Sequence, residues 1–376
     1  MAKIDVLMHI KPQHFKNIDA LRFFAFAKVY LLHLPIVSNI WWFNQVKSGG
    51  GIGVLFFFVL SGFLITWLLT NQKLQYNKIN AFNFLVRRSL RIWPVYFLVL
   101  AFVYFTPNQL LNAFGLVLGG YQPNVWYSVL FLENYHMLTT DLMPSVSPLP
   151  VFWSLCIEEH FYLVWLLVFS ILPKNFIPYF LLLCLPLAVF FRWAEPQIWH
   201  NHFIYTNDLL TNLDLFATGG LLGYLVALKP DAINNNIKKL PKITQWIYLG
   251  LVILLVFFHK YLLPEIAFSN INLFRSLLFA IAFTGLIAVF ISKYAAFNFA
   301  DKGIISFLGE LSYGMYVYHL IAIHSMIKYC QIHQINLDNT LNISLFVVIN
   351  LAVTIAVSYL SKRYFENKFL QLKKYF

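Results

Sequence analysis

Residues Leu277 to Ile291 read Leu-Leu-Phe-Ala-Ile-Ala-Phe-Thr-Gly-Leu-Ile-Ala-Val-Phe-Ile, an apolar run with no charge and no alternation of polar and apolar positions. A strand of a membrane barrel alternates over about 10 residues, whereas a spanning helix needs about 20 mostly apolar ones. Ile247 to Phe258 has the same character. These runs predict an all-α integral membrane protein.

The composition extends that reading to the whole chain. Its 376 residues are 60% hydrophobic and 11% charged, with a mean hydropathy of +0.68. An aqueous globular surface needs about a quarter of its residues charged, and disorder needs low hydrophobicity, so both are excluded. Cys156, Cys184 and Cys330 are odd in number and the first two sit in apolar runs, which predicts buried free thiols and no disulfide framework. Met1 to Lys16 lacks the short apolar core of a signal peptide, so the first hydrophobic segment is expected to stay as an anchor.

Apolar windows predict ten spans, near 20–38, 52–71, 91–106, 151–172, 176–193, 208–228, 243–262, 271–292, 303–328 and 342–361. A further window, 110–132, is interrupted by Gly119, Gly120 and Pro123. Lys and Arg concentrate on cytoplasmic ends. With ten spans and a cytoplasmic N-terminus, most of the 27 basic residues fall on inner segments, including the loop at 229–242. A traversal by 110–132 would put that loop outside. The stretch is therefore read as re-entrant or lying at the outer face, both termini as cytoplasmic, and the chain as one membrane domain over 1–376 with its core at about 18–367. The net charge of +12 suits contact with anionic lipid and calls for no nucleic acid.

Ionisable side chains inside such spans are costly and therefore informative. The first span carries Asp19, Arg22, Lys28 and His33. Arg22 and His33 lie about 20° apart around the helix axis and about 16 Å apart along it, so one face holds both. Lys28 is about 120° from Arg22 on the wheel, and is expected to pair with an acidic residue of another helix or to be neutral. In the second span, Ser61-Gly62 makes a small patch where a backbone or a ligand can come close. Before the third, in Phe84-Leu-Val-Arg87-Arg88-Ser-Leu-Arg91-Ile92-Trp93-Pro94, Arg88 and Arg91 share a helix face at the level of Arg22. Lipid anchoring would explain such a cluster. Three guanidinium forks converging from two helices would also match a polyphosphate donor.

The fourth span opens Phe152-Trp153-Ser154-Leu155-Cys156-Ile157-Glu158-Glu159-His160-Phe161-Tyr162. Glu158 lies about 10 Å below the outer face, a depth comparable with His33, where a carboxylate can accept or donate a proton. The competing reading pairs it with Lys28 or Arg192. Glu159, about 100° away, is the better structural partner. Towards the end, Ser312-Tyr313 through His319 brings a second intramembrane histidine.

Five ordered blocks then resemble one family. They are Ile18-Asp19-Ala20-Leu21-Arg22 with His33, Phe57 to Ile65, Arg87 to Pro94, Trp153-Ser154-Leu155 with Glu158 and Phe161-Tyr162, and Ser312-Tyr313 through His319. The pattern is similar to membrane-bound acyltransferase family 3, the multi-span bacterial enzymes that O-acylate surface polysaccharides. The resemblance implies a ten-helix domain of the bacterial inner membrane. It would take an acyl group, usually acetyl, from cytoplasmic acyl-CoA to a hydroxyl of a surface glycan or lipid-linked sugar outside. It also implies a catalytic His33, supported by Glu158, and donor binding by Arg22, Arg88 and Arg91. Asp19, Ser61, Trp153, Tyr162 and His319 are expected to support the site, and no metal is expected. Whether transfer is direct or passes through an acyl-histidine stays open. Lys28 stands where the family usually has an apolar residue, and His160 where Gln is common. The chain resembles the stand-alone type. A proton-coupled transporter or flippase could use His33, Glu158, Lys28 and His319 as a relay, but it would leave the arginine trio without a role and the sequence without the expected internal repeat.

Overall fold

The computed structural model describes residues 15, 17–34, 41–199, 208–263, 271–299 and 303–376. In chain order the helices are α1 (Ile18–His33), α2 (Trp41–Lys47), α3 (Gly51–Tyr76), α4 (Ala81–Phe105), α5 (Asn108–Ala113), α6 (Val125–Val129), α7 (Glu133–Thr140), α8 (Phe152–Ile171) and α9 (Ile177–Trp199). They continue as α10 (Leu213–Leu228), α11 (Ala232–Lys239), α12 (Lys242–Leu262), α13 (Ile271–Phe290), α14 (Ile304–Glu310), α15 (Ser312–Ile332), α16 (Thr340–Ser361) and α17 (Asn367–Gln371). Among the described residues there is no β-strand.

Eight helical segments are long and apolar enough to cross a membrane: Trp41–Tyr76, Ala81–Phe105, Leu149–Ile171, Lys174–Ala194, Leu210–Leu228, Lys242–Leu262, Leu273–Phe290 and Thr340–Tyr375. They account for eight of the ten expected spans, and the chain is an all-α integral membrane protein. The other two expected spans correspond to α1, with 16 residues, and to α15, which carries His319, His324 and Lys328. Residues 35–38 of the first expected span lie outside the described residues. The span expected at 303–328 is divided at Leu311 into α14 and α15.

α4 begins ten residues before the expected start of its span. Asn80 caps it by accepting the Asn83 backbone N–H at 3.0 Å, so the arginine cluster is inside the helix and its polar character merely hid the first turns. Among residues 106–148 no helix is long and apolar enough to cross a membrane. They fold as α5, α6 and α7 with irregular backbone between, drawn together by isolated bridges of Val117 to Val146 and of Tyr121 to Pro144. At the centre of this segment Glu133 is fully buried and accepts hydrogen bonds from the Tyr121 hydroxyl and, at 2.8 Å, from Ser128 Oγ. Burial holds its carboxyl above the usual carboxylate range.

α3 and α10 cross closely. A Cβ on Gly219 would stand 1.9 Å from the Val59 carbonyl oxygen, and one on Gly223 would stand 2.3 Å from that of Phe63. Two small residues four apart are what brings helix backbones together where no hydrophobic effect drives association. On the other side of the crossing Gly62 meets the Phe216 carbonyl. The small patch read in the sequence is thus divided: Gly62 serves packing, and its neighbour Ser61 faces elsewhere.

Buried charges find partners inside the protein. Lys28 Nζ donates to the carbonyls of Val46 at 2.7 Å and Ser48 at 2.6 Å, beyond the C-terminal turn of α2, and sits 4.5 Å over the Phe257 ring. These main-chain oxygens replace the expected acidic side chain, since helix-end carbonyls carry partial negative charge and lack helical partners. Arg192 donates to Asp214 and to the carbonyls of Thr211 and Leu273, with both charged side chains at 1% exposure or less. Glu159 therefore pairs with neither Lys28 nor Arg192. It accepts from Trp93 Nε1 at 3.3 Å. Cys156, Cys184 and Cys330 are free and buried.

Two outcomes follow from this packing. Gly219→Val should cost about 3 kcal/mol or more, read as loss of the monodisperse peak and of cooperative melting in detergent, because backbone cannot move aside cheaply. Glu133 gives a pH dependence. A carboxyl raised in the folded state binds its proton more tightly there than in the unfolded chain, so its contribution is complete at acidic pH and is lost as pH rises through the elevated value. The melting temperature of wild type should therefore fall more between about pH 5 and about pH 8 than that of Glu133→Gln.

Candidate active site

One end of the helix bundle gathers the start of α1, α14, the first turns of α4 and the C-terminal segment. Gly309 of α14 leaves no room for a side chain against the Asp19 carbonyl. Lys362 reaches Glu310 at 2.7 Å, and Arg87 Nη2 donates to the Lys373 carbonyl at 3.5 Å. A cavity opens from this end, with Arg22, Arg88 and Arg91 in its wall. Arg22 is fixed by its own helix, donating from Nη1 to Asp19 Oδ1 at 2.6 Å, three residues earlier. Arg88 lies over the Phe84 ring, and its Nε has no hydrogen-bond partner.

Glu158 lies in the same cavity. Ser61 Oγ donates to its Oε1 at 2.7 Å and the Tyr162 hydroxyl donates to the same oxygen, while Arg22 and Arg88 bathe it in positive field. α3, α4 and α8 thus bring Ser61, Arg88, Arg91, Glu158 and Tyr162 to one wall, and α1 adds Arg22 across from them. Glu158 belongs with the arginines, and no hydrogen bond joins it to His33.

His33 has a different partner. Its Nδ1 lies 2.9 Å from the Val29 carbonyl oxygen and 3.2 Å from His319 Nε2, and His319 Nδ1 lies 2.6 Å from the Tyr316 carbonyl oxygen. A carbonyl can only accept, so His319 Nδ1 carries the hydrogen and its Nε2 is a lone pair. That lone pair makes His33 Nδ1 the donor, an assignment the Val29 carbonyl supports. The consequence is a His33 whose Nε2 is unprotonated. The two rings stand 5.0 Å apart, and Phe26 packs its edge on His319, which is wholly buried.

Tyr316 connects the two groups. Its ring lines the cavity, its hydroxyl donates to the Val151 carbonyl at 3.0 Å and meets Ser154 Oγ at 2.5 Å, and its own carbonyl holds His319. Val54 marks the far reach of the cavity, next to Gly53, which packs on Ala25 and Val29 one turn before His33 on α1. His33 is not itself in the cavity wall, and neither is Trp153, which packs edge-on against Phe58 at 6.4 Å.

Sequence reasoning quoted Ser154, Tyr313 and Tyr316 within its motif blocks but gave them no role, though all are in the wall, and it passed over His324, whose Nδ1 lies 2.5 Å from Ser147 Oγ. A signal was present: Ser312, Tyr316 and His319 follow the four-and-three spacing of one helix face. Among the described residues no three His, Cys, Asp or Glu side chains converge as metal ligands.

Comparison with known proteins agrees with this architecture. A family model described as an acyltransferase domain, of the acyltransferase 3 type, matches residues 15–362. Over 176 residues the chain is 34% identical to the O-acetyltransferase OatA of Staphylococcus aureus, an alignment covering 44% of this chain and 26% of the relative. It is 36% identical over 169 residues to the peptidoglycan O-acetyltransferase OatA of Listeria monocytogenes, covering 42% and 25%. It is also 36% identical over 166 residues to the putative peptidoglycan O-acetyltransferase YrhL of Bacillus subtilis, covering 42% and 24%. The chain spans about a quarter of the length of these relatives. No solved structure matches it. A match over residues 15–362, carrying the five motif blocks in order, makes this chain a member of the acyltransferase 3 family.

Proposed function

We propose that this protein is an O-acetyltransferase that takes its acyl group from acyl-CoA at the arginine end of the bundle and delivers it to a hydroxyl of an envelope glycan near the opposite end. The observation that carries the reading is the His33–His319 pair: it leaves His33 Nε2 as a lone pair in a half-buried position, while Arg22 on the same face of α1 joins Arg88 and Arg91 of α4 in the cavity wall. Similarity to peptidoglycan O-acetyltransferases supports acetyl as the group and a cell-wall sugar as the acceptor class. The basic residues of the arginine end support a cytoplasmic donor side, in a bacterial inner membrane, by the positive-inside rule.

In this mechanism Arg22, Arg88 and Arg91 hold the donor phosphates through bidentate N–H donors. The pantetheine arm follows the cavity past Ser61 and Glu158 towards Val54 and Ser154. His33 Nε2 removes the proton from the acceptor hydroxyl as its oxygen attacks the thioester carbonyl. The tetrahedral adduct expels CoA thiolate, and the imidazolium returns the proton to that sulfur. Alternatively Nε2 attacks the thioester first and expels CoA thiolate, giving an Nε2-acyl-imidazolium that keeps its Nδ1–H; the acceptor hydroxyl then attacks the acyl carbon, Nε2 leaves as neutral imidazole, and the hydroxyl proton passes to the thiolate. In both routes His319 Nε2 accepts from His33 Nδ1–H throughout and supports the positive charge that develops on the ring. Glu158, held by Ser61 and Tyr162, places negative charge among the arginines and so sets how they meet the donor.

Thiol release from acetyl-CoA by the purified protein, with envelope glycans supplied as acceptor, tests this reading. His33→Ala should lower kcat about a hundredfold or more at unchanged folding, as expected for loss of a general base. His319→Phe keeps the ring and removes the acceptor. It should lower kcat with little change in the acetyl-CoA KM, whereas Arg88→Ala should raise that KM about tenfold. Wild-type protein that releases no thiol from acetyl-CoA or longer acyl-CoAs would point to transport instead.

A further inference from the structure

His324 is a histidine for which the mechanism so far has no use. It follows Tyr313 on α15 by eleven residues, so the two lie about 20° apart around the axis and about 16 Å apart along it. Tyr313 is in the cavity wall with the arginines, and α15 therefore turns His324 to the same side, farther from them. His319, which holds His33, precedes His324 by about 7.5 Å along the helix. The chain leading into α8 runs along this side of α15. The Val151 carbonyl accepts from the Tyr316 hydroxyl at 3.0 Å, Ser154 Oγ meets that hydroxyl at 2.5 Å, and Ser147 Oγ lies 2.5 Å from His324 Nδ1. One seam thus joins the cavity wall at Ser154 and Tyr316 to Ser147 and His324 beyond it. His33 and His319 are both within electrostatic reach of His324.

Main chain holds Ser147 in place. Its N–H donates to the Leu116 carbonyl at 3.0 Å, and the preceding Val146 bridges to Val117. Gly115, at a φ of +67°, lets the segment come against α15: a Cβ there would stand 2.8 Å from Lys328 Cβ and 3.2 Å from the His324 carbonyl oxygen. Ser147 is wholly buried, and among the described residues His324 Nδ1 is the only acceptor for its hydroxyl. A buried hydroxyl gives its hydrogen to an acceptor, so Nδ1 is a lone pair and His324 Nε2 carries the ring hydrogen. That Nε2 makes no hydrogen bond among the described residues and is not sealed from solvent, the residue being half-buried. The hydrogen bond at one ring nitrogen fixes what the other offers. His33 therefore presents a lone pair at Nε2, and His324 presents an N–H.

We propose that His324 binds the sugar acceptor, its Nε2–H donating to an oxygen of the sugar, and that Ser147 is the positioning residue that fixes this tautomer. The proposal rests on the acyl-transfer reading given above and deepens its acceptor side. A donor that enters phosphates-last from the arginine end meets Tyr316 before His324, which leaves His324 to the acceptor. A neutral N–H suits a polyhydroxylated ligand, because each sugar oxygen can accept a hydrogen bond without bringing a charge. One hydroxyl gives its proton to His33 while a second oxygen of the same sugar accepts from His324. Two contacts of opposite sense then orient the attacking oxygen.

The test uses the full-length protein in neutral detergent, with soluble peptidoglycan fragments as the acceptor probe, and compares wild type, His324→Phe, His324→Gln and Ser147→Ala. Two quantities are read: the KM values for fragment and for acetyl-CoA in thiol release, and thermal stabilisation by the fragment without donor. Unliganded melting temperatures establish that each variant is folded. His324→Phe should raise the fragment KM about tenfold and lose most of the stabilisation, as for removal of one hydrogen bond, with the acetyl-CoA KM within about twofold of wild type. Gln keeps an N–H donor, so His324→Gln should stay within about threefold of wild type, and Ser147→Ala, which frees the tautomer, should fall between. If wild type is stabilised by the fragment but releases no thiol, and His324→Phe loses the stabilisation, the acceptor site stands and the acyl-transfer reading falls. A folded His324→Phe that matches wild type in fragment KM and in stabilisation overturns the proposal, as does a fall in melting temperature with the two KM values moving together, which marks a purely structural latch. Wild type that neither binds the fragment nor acetylates it overturns both.

Discussion

Hydrocarbon gives a charged group no solvent, so each cation within the bundle must be satisfied by the protein or by a ligand. Much of this architecture follows from how that demand is met. Lys28 ties the turn after α2 to α1 by capping main-chain carbonyls, and Lys73 does the same for the end of α8 through the carbonyls of Phe169 and Leu172. Arg192 fastens α9 to α10 and α13 with one carboxylate and two carbonyls. These are closed accounts of charge, and each joins separate segments. The arginines of α4 are the contrast, because Arg88 and Arg91 line an open cavity together with Arg22 and Glu158.

That contrast organises the proposed chemistry. An excess of positive charge at one end and a neutral, tautomer-fixed histidine towards the other form a gradient along which a polyanionic thioester would orient itself, phosphates first. Tyr316 sits at the junction, contributing its ring to the cavity and its carbonyl to His319. A single helix turn of α15 therefore carries both a wall of the cavity and the support of the candidate base. The α3–α10 crossing sets the width of this arrangement, since Ser61 is presented to Glu158 only while Gly62 lies against the Phe216 carbonyl.

The sequence made some of this legible and hid the rest for physical reasons. The stripe of Arg22 and His33 follows from helical periodicity alone, and so does the exclusion of Lys28 from it. Lys28's partner could not be read, because a backbone carbonyl leaves no mark in the residue types. The spans were legible wherever apolar composition was unbroken. The span of α4 was placed ten residues late because an apolar window stops at its arginines, although Arg88 and Arg91 were already read on one helix face. The residues of the cavity were nearly all within the quoted motif blocks, but their grouping was not. Glu158 was read at the level of His33; in the structure it lines the cavity with Arg22 and Arg88, and no hydrogen bond joins it to His33. The partner His33 does have, His319, is 286 residues away in the chain, and no local period encodes such a pair.

The central claim is that donor and acceptor chemistry occupy opposite ends of one bundle. Proteoliposomes of a single established orientation, with acetyl-CoA confined to one face and a soluble glycan acceptor to the other, test it most directly. Acetylated glycan should form only when acetyl-CoA faces the arginine end, and His33→Ala should abolish it. Equal product with acetyl-CoA on either face would contradict the account.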